Sequence, residues 1–348
     1  MPRYSELSLS AQTAYAQLFD ATVAWELSRS VGSLRGSFAK KTVKRRQYWY
    51  FQYTDLGGSL RQFYVGPDSE PLRALVAQAR KSRDEPLVPL VRSAIALGCA
   101  PLLARHFRIV RRLAEHGFFR AGGLLVGTHA FLAYGNILGL RWADSARTQD
   151  VDLAHAGKSL SLALPSSLQV NTHSAIESLQ AGLLPIAGLS GKAGPSYLNP
   201  NDPEFRIDFL TTLYPGGDAP FEHRQLRVAM QPLKFMEYLL ENVGQAVVFC
   251  DEGSVAVNIP HPARYALHKL LVFGERRGSM LQKARKDLLQ AGALLDYLKS
   301  VRAWDVEEAW ADLIGRGRGW TTRARQGIGA LAKTAPELGI KEWLRFKK

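Results

Sequence analysis

Leu124-Leu125-Val126-Gly127-Thr128, then Thr148-Gln149-Asp150-Val151-Asp152-Leu153, then Phe205-Arg206-Ile207-Asp208-Phe209 are the three stretches that decide how the chain is read. Successive strand side chains point to opposite faces, so Asp150 and Asp152 share one face while Val151 and Leu153 pack behind them. In the last stretch Phe205, Ile207 and Phe209 form the apolar face, and Asp208 points the other way. If these two strands are neighbours, three carboxylates converge on one side of a sheet. Clustered anions raise one another's pKa. Oxygen-ligand metals such as Mg²⁺ relieve that repulsion, typically with a few carboxylates plus substrate phosphates. Two such ions could activate an attacking hydroxyl and neutralise a leaving pyrophosphate. Gly127-Thr128 fits the same scheme, because a glycine after a strand lets backbone approach a phosphate and a helix N-terminus favours an anion. Arg206 and Asp208 lie two apart on one strand face and are not expected to pair.

With these residues in place, the sequence resembles the DNA polymerase β-type nucleotidyltransferase superfamily. Val126-Gly127-Thr128-His129-Ala130-Phe131 with Thr148 to Leu153 is similar to bacterial nucleotidyltransferase-like proteins related to the toxins of abortive-infection toxin–antitoxin pairs. The resemblance implies an α+β fold with a nucleotidyltransferase-type mixed sheet, two Mg²⁺ ions, and nucleotidyl transfer from an NTP. Carried over by position, Asp150 and Asp152 hold both metals. Asp208 completes the metal site and helps polarise the acceptor hydroxyl, and Gly127 and Thr128 cradle the triphosphate. A weaker similarity covers Ala266-Leu267-His268-Lys269-Leu270 and Lys283-Ala284-Arg285-Lys286-Asp287-Leu288. It makes Lys269 a phosphate ligand and Asp287 a further site candidate. Read without the resemblance, Lys269 is a snorkelling helix residue and Asp287 an i,i−4 partner of Lys283. His129 is close in sequence to the candidate site, but the eight histidines show no metal-ligand spacing and read as core or surface residues.

Working outward, the 348 residues divide into three regions. Residues 1–115 read as helices around a basic β-hairpin at 34–66, 116–260 as the catalytic core, and 261–348 as a helical domain. A helix is expected over 4–30, and a Gly/Pro/Ser/Asn-rich loop over 191–203. Composition, at 46% hydrophobic and 22% charged, excludes wholesale disorder. Cys99 and Cys250 are too few for a disulfide framework, and no CxxC supplies structural zinc. Ser93 to Ala104 is too short an apolar stretch to span a bilayer. No signal peptide opens the chain, so a cytoplasmic protein without a membrane partner is expected. P-loop, HExxH and GxSxG signatures are missing from the sequence.

The formal charge of +14 favours a polyanionic partner. Lys40, Lys41, Lys44, Arg45 and Arg46 precede Tyr48, Trp49, Tyr50 and Tyr53, so cations for phosphates sit beside rings for bases. Arg105, Arg108, Arg111 and Arg112 read as a solvated helix face. Two functions follow. The first is a Mg²⁺-dependent nucleotidyltransferase that moves NMP from an NTP to an acceptor hydroxyl. RNA, with a tRNA end in view, is the favoured acceptor; a protein or small-molecule hydroxyl stays open. The resemblance adds a toxin-like or defence role and an antitoxin-like partner. The second is a non-catalytic nucleic-acid-binding module that uses the basic aromatic hairpin.

Overall fold

The computed structural model describes residues 2–32, 36–43, 46–54, 60–81, 87–143, 148, 150–156, 170–179, 181–187, 193–214, 217–275 and 281–344. The elements run β1 (Tyr4–Glu6), α1 (Leu9–Gly32), β2 (Gly36–Val43), β3 (Arg46–Thr54), β4 (Leu60–Pro67), α2 (Glu70–Lys81), α3 (Val88–Ala96) and α4 (Ala104–Glu115). Then come β5 (Leu124–Leu125), α5 (Gly127–Leu138), β6 (Leu140–Trp142), β7 (Asp150–His155), α6 (Thr172–Glu177), β8 (Leu184–Ala187), β9 (Ala193–Asn199) and β10 (Asp202–Thr212). β11 (Phe221–His223), β12 (Val228–Leu233), α7 (Met236–Leu240), β13 (Val243–Cys250) and β14 (Gly253–Pro260) follow. The chain closes with α8 (Pro262–Phe273), α9 (Leu281–Val301), α10 (Ala303–Gly315), α11 (Arg318–Thr334) and α12 (Ile340–Trp343).

The central sheet is mixed, in the order β11-β12-β10-β7-β5, with β9 and then β8 added antiparallel beside β10. β10 runs parallel to both β7 and β12, whereas β5 is antiparallel to β7. Val151, Leu153, Ile207 and Phe209 are buried on one face, as strand alternation requires. The alternation that buries them leaves Asp150, Asp152 and Asp208 together on the other face. One apolar cluster runs from Leu102 through this sheet to Leu344, so the helices after residue 261 share their core with it. A smaller cluster joins α1, α3 and β13 through Leu18, Val91 and Phe249. There the Tyr15 hydroxyl donates to the Val247 carbonyl at 3.1 Å.

Three local expectations change. The first residues of the expected N-terminal helix form β1, which pairs antiparallel with β6 through Tyr4 and Trp142. The polar segment expected as a loop contains β9, because its backbone pairs with β8 and β10. The basic hairpin gains a third strand: Lys40 and Lys41 lie on β2, opposite Trp49 and Tyr48 of β3. Both cysteines are buried and unpaired. Among the described residues, no helix is long and apolar enough to cross a membrane.

Candidate active site

The parallel register of β7 and β10 sets Asp152 directly opposite Asp208 and Asp150 directly opposite Arg206. The alternation read from the sequence therefore places the three carboxylates on adjacent strands. Ser196 of β9, opposite Asp208, donates its hydroxyl to Asp208 Oδ1 at 2.5 Å. Arg206 and Asp208 do pair, contrary to expectation, with Nε donating to Oδ2 at 2.9 Å. A guanidinium stem is long enough to fold back along its own strand and reach a residue two positions on. Arg206 Nη2 also stands 3.9 Å from Asp150 Oδ2, and Lys283 Nζ of α9 stands 3.6 Å from the same atom.

Burial, then the neighbouring Asp208, push the Asp152 carboxyl up to about 6, against the pull of Lys269; Asp150 pushes the same way. A half-buried carboxylate with anionic neighbours is a site that gains from a cation. The donor set is all oxygen, which suits Mg²⁺. Among the described residues, no three acidic, histidine or cysteine side chains are already gathered into a metal cage. Arg206 and Lys283 lie among the carboxylates instead.

Gly127 opens α5 with φ +61°, and a Cβ there would fall 2.0 Å from Asp152 Oδ2. The glycine is required by the close approach of Asp152. Thr128 is buried, and its hydroxyl accepts from Gln290 Nε2 at 3.3 Å. Tyr265 Oη lies 2.9 Å from both the Gly127 carbonyl and Gln290 Oε1, which ties the start of α5 to α8 and α9. Lys269 Nζ pairs with Asp287 Oδ1 at 2.7 Å. Asp287 therefore bonds across to α8, while Lys283 of its own helix faces Asp150.

Two cavities flank the carboxylates. One, of about 410 Å³, is lined by Gly127, Asp152, Tyr265, His268, Lys269 and Asp287 with an apolar wall from β12 and α7. The other, of about 850 Å³, is lined by Asp150, Arg206, Lys283, Lys286, His106 and His129. His129, read from the sequence as an ordinary core or surface histidine, is buried and lines this second cavity. Its Nε2 lies 3.0 Å from His106 Nδ1. Burial holds both imidazoles down, to about 3 for His129 and about 4 for His106, so the pair is neutral at physiological pH. Arg206, Lys283, Lys286 and His106 line the site without having been expected there from the sequence. Their one sequence signal is the i,i+3 spacing of Lys283 and Lys286, which puts both on one helix face.

The basic sheet lies apart from these cavities. Lys40 pairs with Asp68 at 3.0 Å and lies 5.0 Å from the centre of the Trp49 ring. Trp49 is itself buried. Lys41 lies 5.3 Å from the centre of the Tyr50 ring, and Tyr64 meets both Tyr48 and Tyr50 within 6 Å. Arg46 is exposed, and Lys44 and Arg45 fall outside the described residues. Arg105, Arg108, Arg111 and Arg112 are engaged with Asp202, Glu252 and Glu115, as a solvated helix face allows.

Residues 104–315 match a protein family described as Nucleotidyltransferase. Among solved structures, the chain is similar to an antigenic nucleotidyltransferase-like protein from Paracoccidioides brasiliensis. Identity is 14%, the match covers 71% of this chain and 95% of that one, and the TM-score is 0.35. No curated protein matches the chain. The family match covers more than half of the sequence and takes in β7, β10, α8 and α9, and on that ground the chain belongs to the nucleotidyltransferase family.

Proposed function

We propose that the protein is a Mg²⁺-dependent nucleotidyltransferase that moves NMP from an NTP to a hydroxyl of RNA. The observation that carries this reading is the in-register pair Asp152–Asp208, with Asp150 beside it on one sheet face. Asp150, Asp152 and Asp208 are the residues that would hold the metal, which would neutralise phosphate charge and favour the attacking alkoxide. In the reaction the acceptor oxygen forms a bond to the α-phosphorus, and the bond from that phosphorus to the bridging oxygen breaks. Pyrophosphate leaves with the electron pair, and the acceptor proton passes to Asp208 or to water. The chain contributes chiefly by positioning and by charge placed in advance.

RNA is favoured as acceptor by the net charge of +14 and by the sheet that presents Lys41, Arg46, Tyr48, Tyr50 and Tyr64. The same sheet supports the second reading, a nucleic-acid-binding module without catalysis. A growth-arrest role with an antitoxin-like partner rests on the family resemblance alone. The test incubates purified protein, Mg²⁺, each α-labelled NTP in turn and total cellular RNA, beside an Asp150→Ala/Asp152→Ala control. Label in RNA only with intact carboxylates supports the transferase. RNA binding without label, equal in both proteins, supports the binding module.

A further inference from the structure

Helix α11 carries no negative charge. Residues 318–334 hold Arg318, Arg323, Arg325 and Lys333, with no Asp or Glu among them. On a helical wheel Ala324, Gly327, Ile328 and Leu331 form the buried side. Arg318, Thr322, Arg325, Gln326 and Lys333 fall on the opposite side and are exposed. That face runs for roughly 22 Å along the helix. The arginines nearby are engaged, since Arg264 and Arg316 each pair with Glu241 and Asp312. Among the described residues, Arg318 and Lys333 have no acidic partner. Two choices on this face work against helix stability. Arg318 stands in the first turn, where the helix dipole disfavours a cation. Gly329 stands in the helix interior on the same face, and a Cβ there would meet nothing within 4 Å. Gly327, by contrast, is required by packing, because a Cβ there would fall 2.1 Å from the Leu270 carbonyl oxygen.

We propose that this face of α11 is a docking surface for the phosphate backbone of the acceptor RNA, with Arg318, Arg325 and Lys333 as its cations. It rests on the reading of RNA as acceptor, and adds a second contact apart from the β2–β4 sheet. A polyanion along the face offsets the cation at the helix start, and Gly329 leaves the backbone bare for its close approach. The face also adjoins the site. Gly327 sets α11 backbone-to-backbone on α8, and Gly274 repeats this, since a Cβ there would fall 2.6 Å from the Arg323 carbonyl oxygen. Away from that contact, α8 lines the smaller cavity with Tyr265, His268 and Lys269. On the flank of α11, Arg323 Nε donates to Glu275, and its guanidinium lies 5.7 Å from the centre of the Phe235 ring. Trp320 meets the same ring at 4.6 Å. Glu275 and Phe235 both line the smaller cavity. A strand held on α11 is therefore held beside the cavity wall.

The test follows a labelled single-stranded RNA by anisotropy against full-length protein across a salt series. Arg318→Gln/Arg325→Gln/Lys333→Gln removes three phosphate contacts. It should lower the slope of log K against log salt by about 2 and weaken binding roughly 100-fold at ~0.1 M salt. Arg318→Glu is the second variant. An acid in the first turn suits the dipole, so the thermal midpoint should hold or rise while RNA affinity falls roughly tenfold. A merely structural role would move both readouts together. An unchanged salt slope in the triple variant overturns the proposal, and so does wild-type RNA affinity in Arg318→Glu. Either result leaves the transferase reading standing, because label transfer and its dependence on Asp150 and Asp152 are read separately. A wild-type protein that transfers no label, yet shows the slope change on α11, removes the transferase reading and keeps the RNA surface. A wild-type protein that binds no RNA removes the surface and RNA as acceptor together.

Discussion

Replacing Asp152 by Asn should stabilise the metal-free protein while abolishing transfer. The Asp152 carboxyl is half-buried, faces Asp208 across the parallel register, and has Asp150 two residues away. Its pKa rises from an ordinary 3.8 to about 6, first through desolvation and then through Asp208. A carboxyl raised in the folded state adds stability that is fully present below about 3.8 and lost as pH rises through about 6. At pH 7.5 the wild type has given up the whole contribution, about 3 kcal/mol at ~1.4 kcal/mol per pKa unit. An amide of the same shape does not ionise and avoids that loss. Urea unfolding in chelator across pH 4 to 8 should show the variant's advantage over wild type growing between about pH 4 and 6.5 and then levelling. Added Mg²⁺ should narrow the gap by stabilising the wild type alone. An advantage that does not vary with pH, or a variant less stable than wild type at pH 7.5, would refute this account of the carboxylate cluster.

Other outcomes follow from the same geometry. Gly127→Ala would press a Cβ against Asp152 Oδ2 at a positive φ, and should cost about 1–3 kcal/mol in thermal or urea unfolding. Lys269→Met should cost about 3–5 kcal/mol, because it removes the ammonium that pairs with the buried Asp287 carboxylate. The double change Lys269→Met/Asp287→Leu should recover most of that, which a double-mutant cycle reads directly. Tyr50→Ala/Tyr64→Ala should lower affinity for single-stranded RNA by about 1–3 kcal/mol per base unstacked, measured by anisotropy at fixed salt. That double change should leave NTP binding untouched, since neither ring lines a cavity of the site.

The sequence carried the site's acids more legibly than its bases. Period-2 alternation put Asp150 and Asp152 on one face of their strand and Asp208 on the polar face of its own, and the β7–β10 register then brought the three together with Asp152 against Asp208. The cations were hidden because they arrive from elements whose docking is a tertiary matter. Lys283 depends on how the start of α9 comes to Asp150 of β7, and His106 on the meeting of its ring with His129 of α5. The Arg206–Asp208 pair was hidden by treating strand neighbours as points, without the reach of a guanidinium. β9 was illegible because its glycine, proline, serine and asparagine content speaks for turns, while its strand conformation comes from pairing with β8 and β10. The Lys269–Asp287 pair was hidden because the resemblance made the two separate site candidates and local spacing pointed Asp287 to Lys283. The short β1 shows the same limit, since three residues at a helix start become a strand only because β6 lies beside them.

The central claim concerns which bond breaks, and one doubly labelled reaction reads it. An NTP labelled at the α- and γ-phosphates is incubated with protein, Mg²⁺ and RNA, and the label in RNA is compared with that in released products. The account predicts one pyrophosphate carrying the γ-label for every α-label attached to RNA, and neither with Asp150→Ala/Asp152→Ala. Transfer of the γ-label to any acceptor, release of γ-label as single phosphate, or transfer that persists without those carboxylates would contradict it.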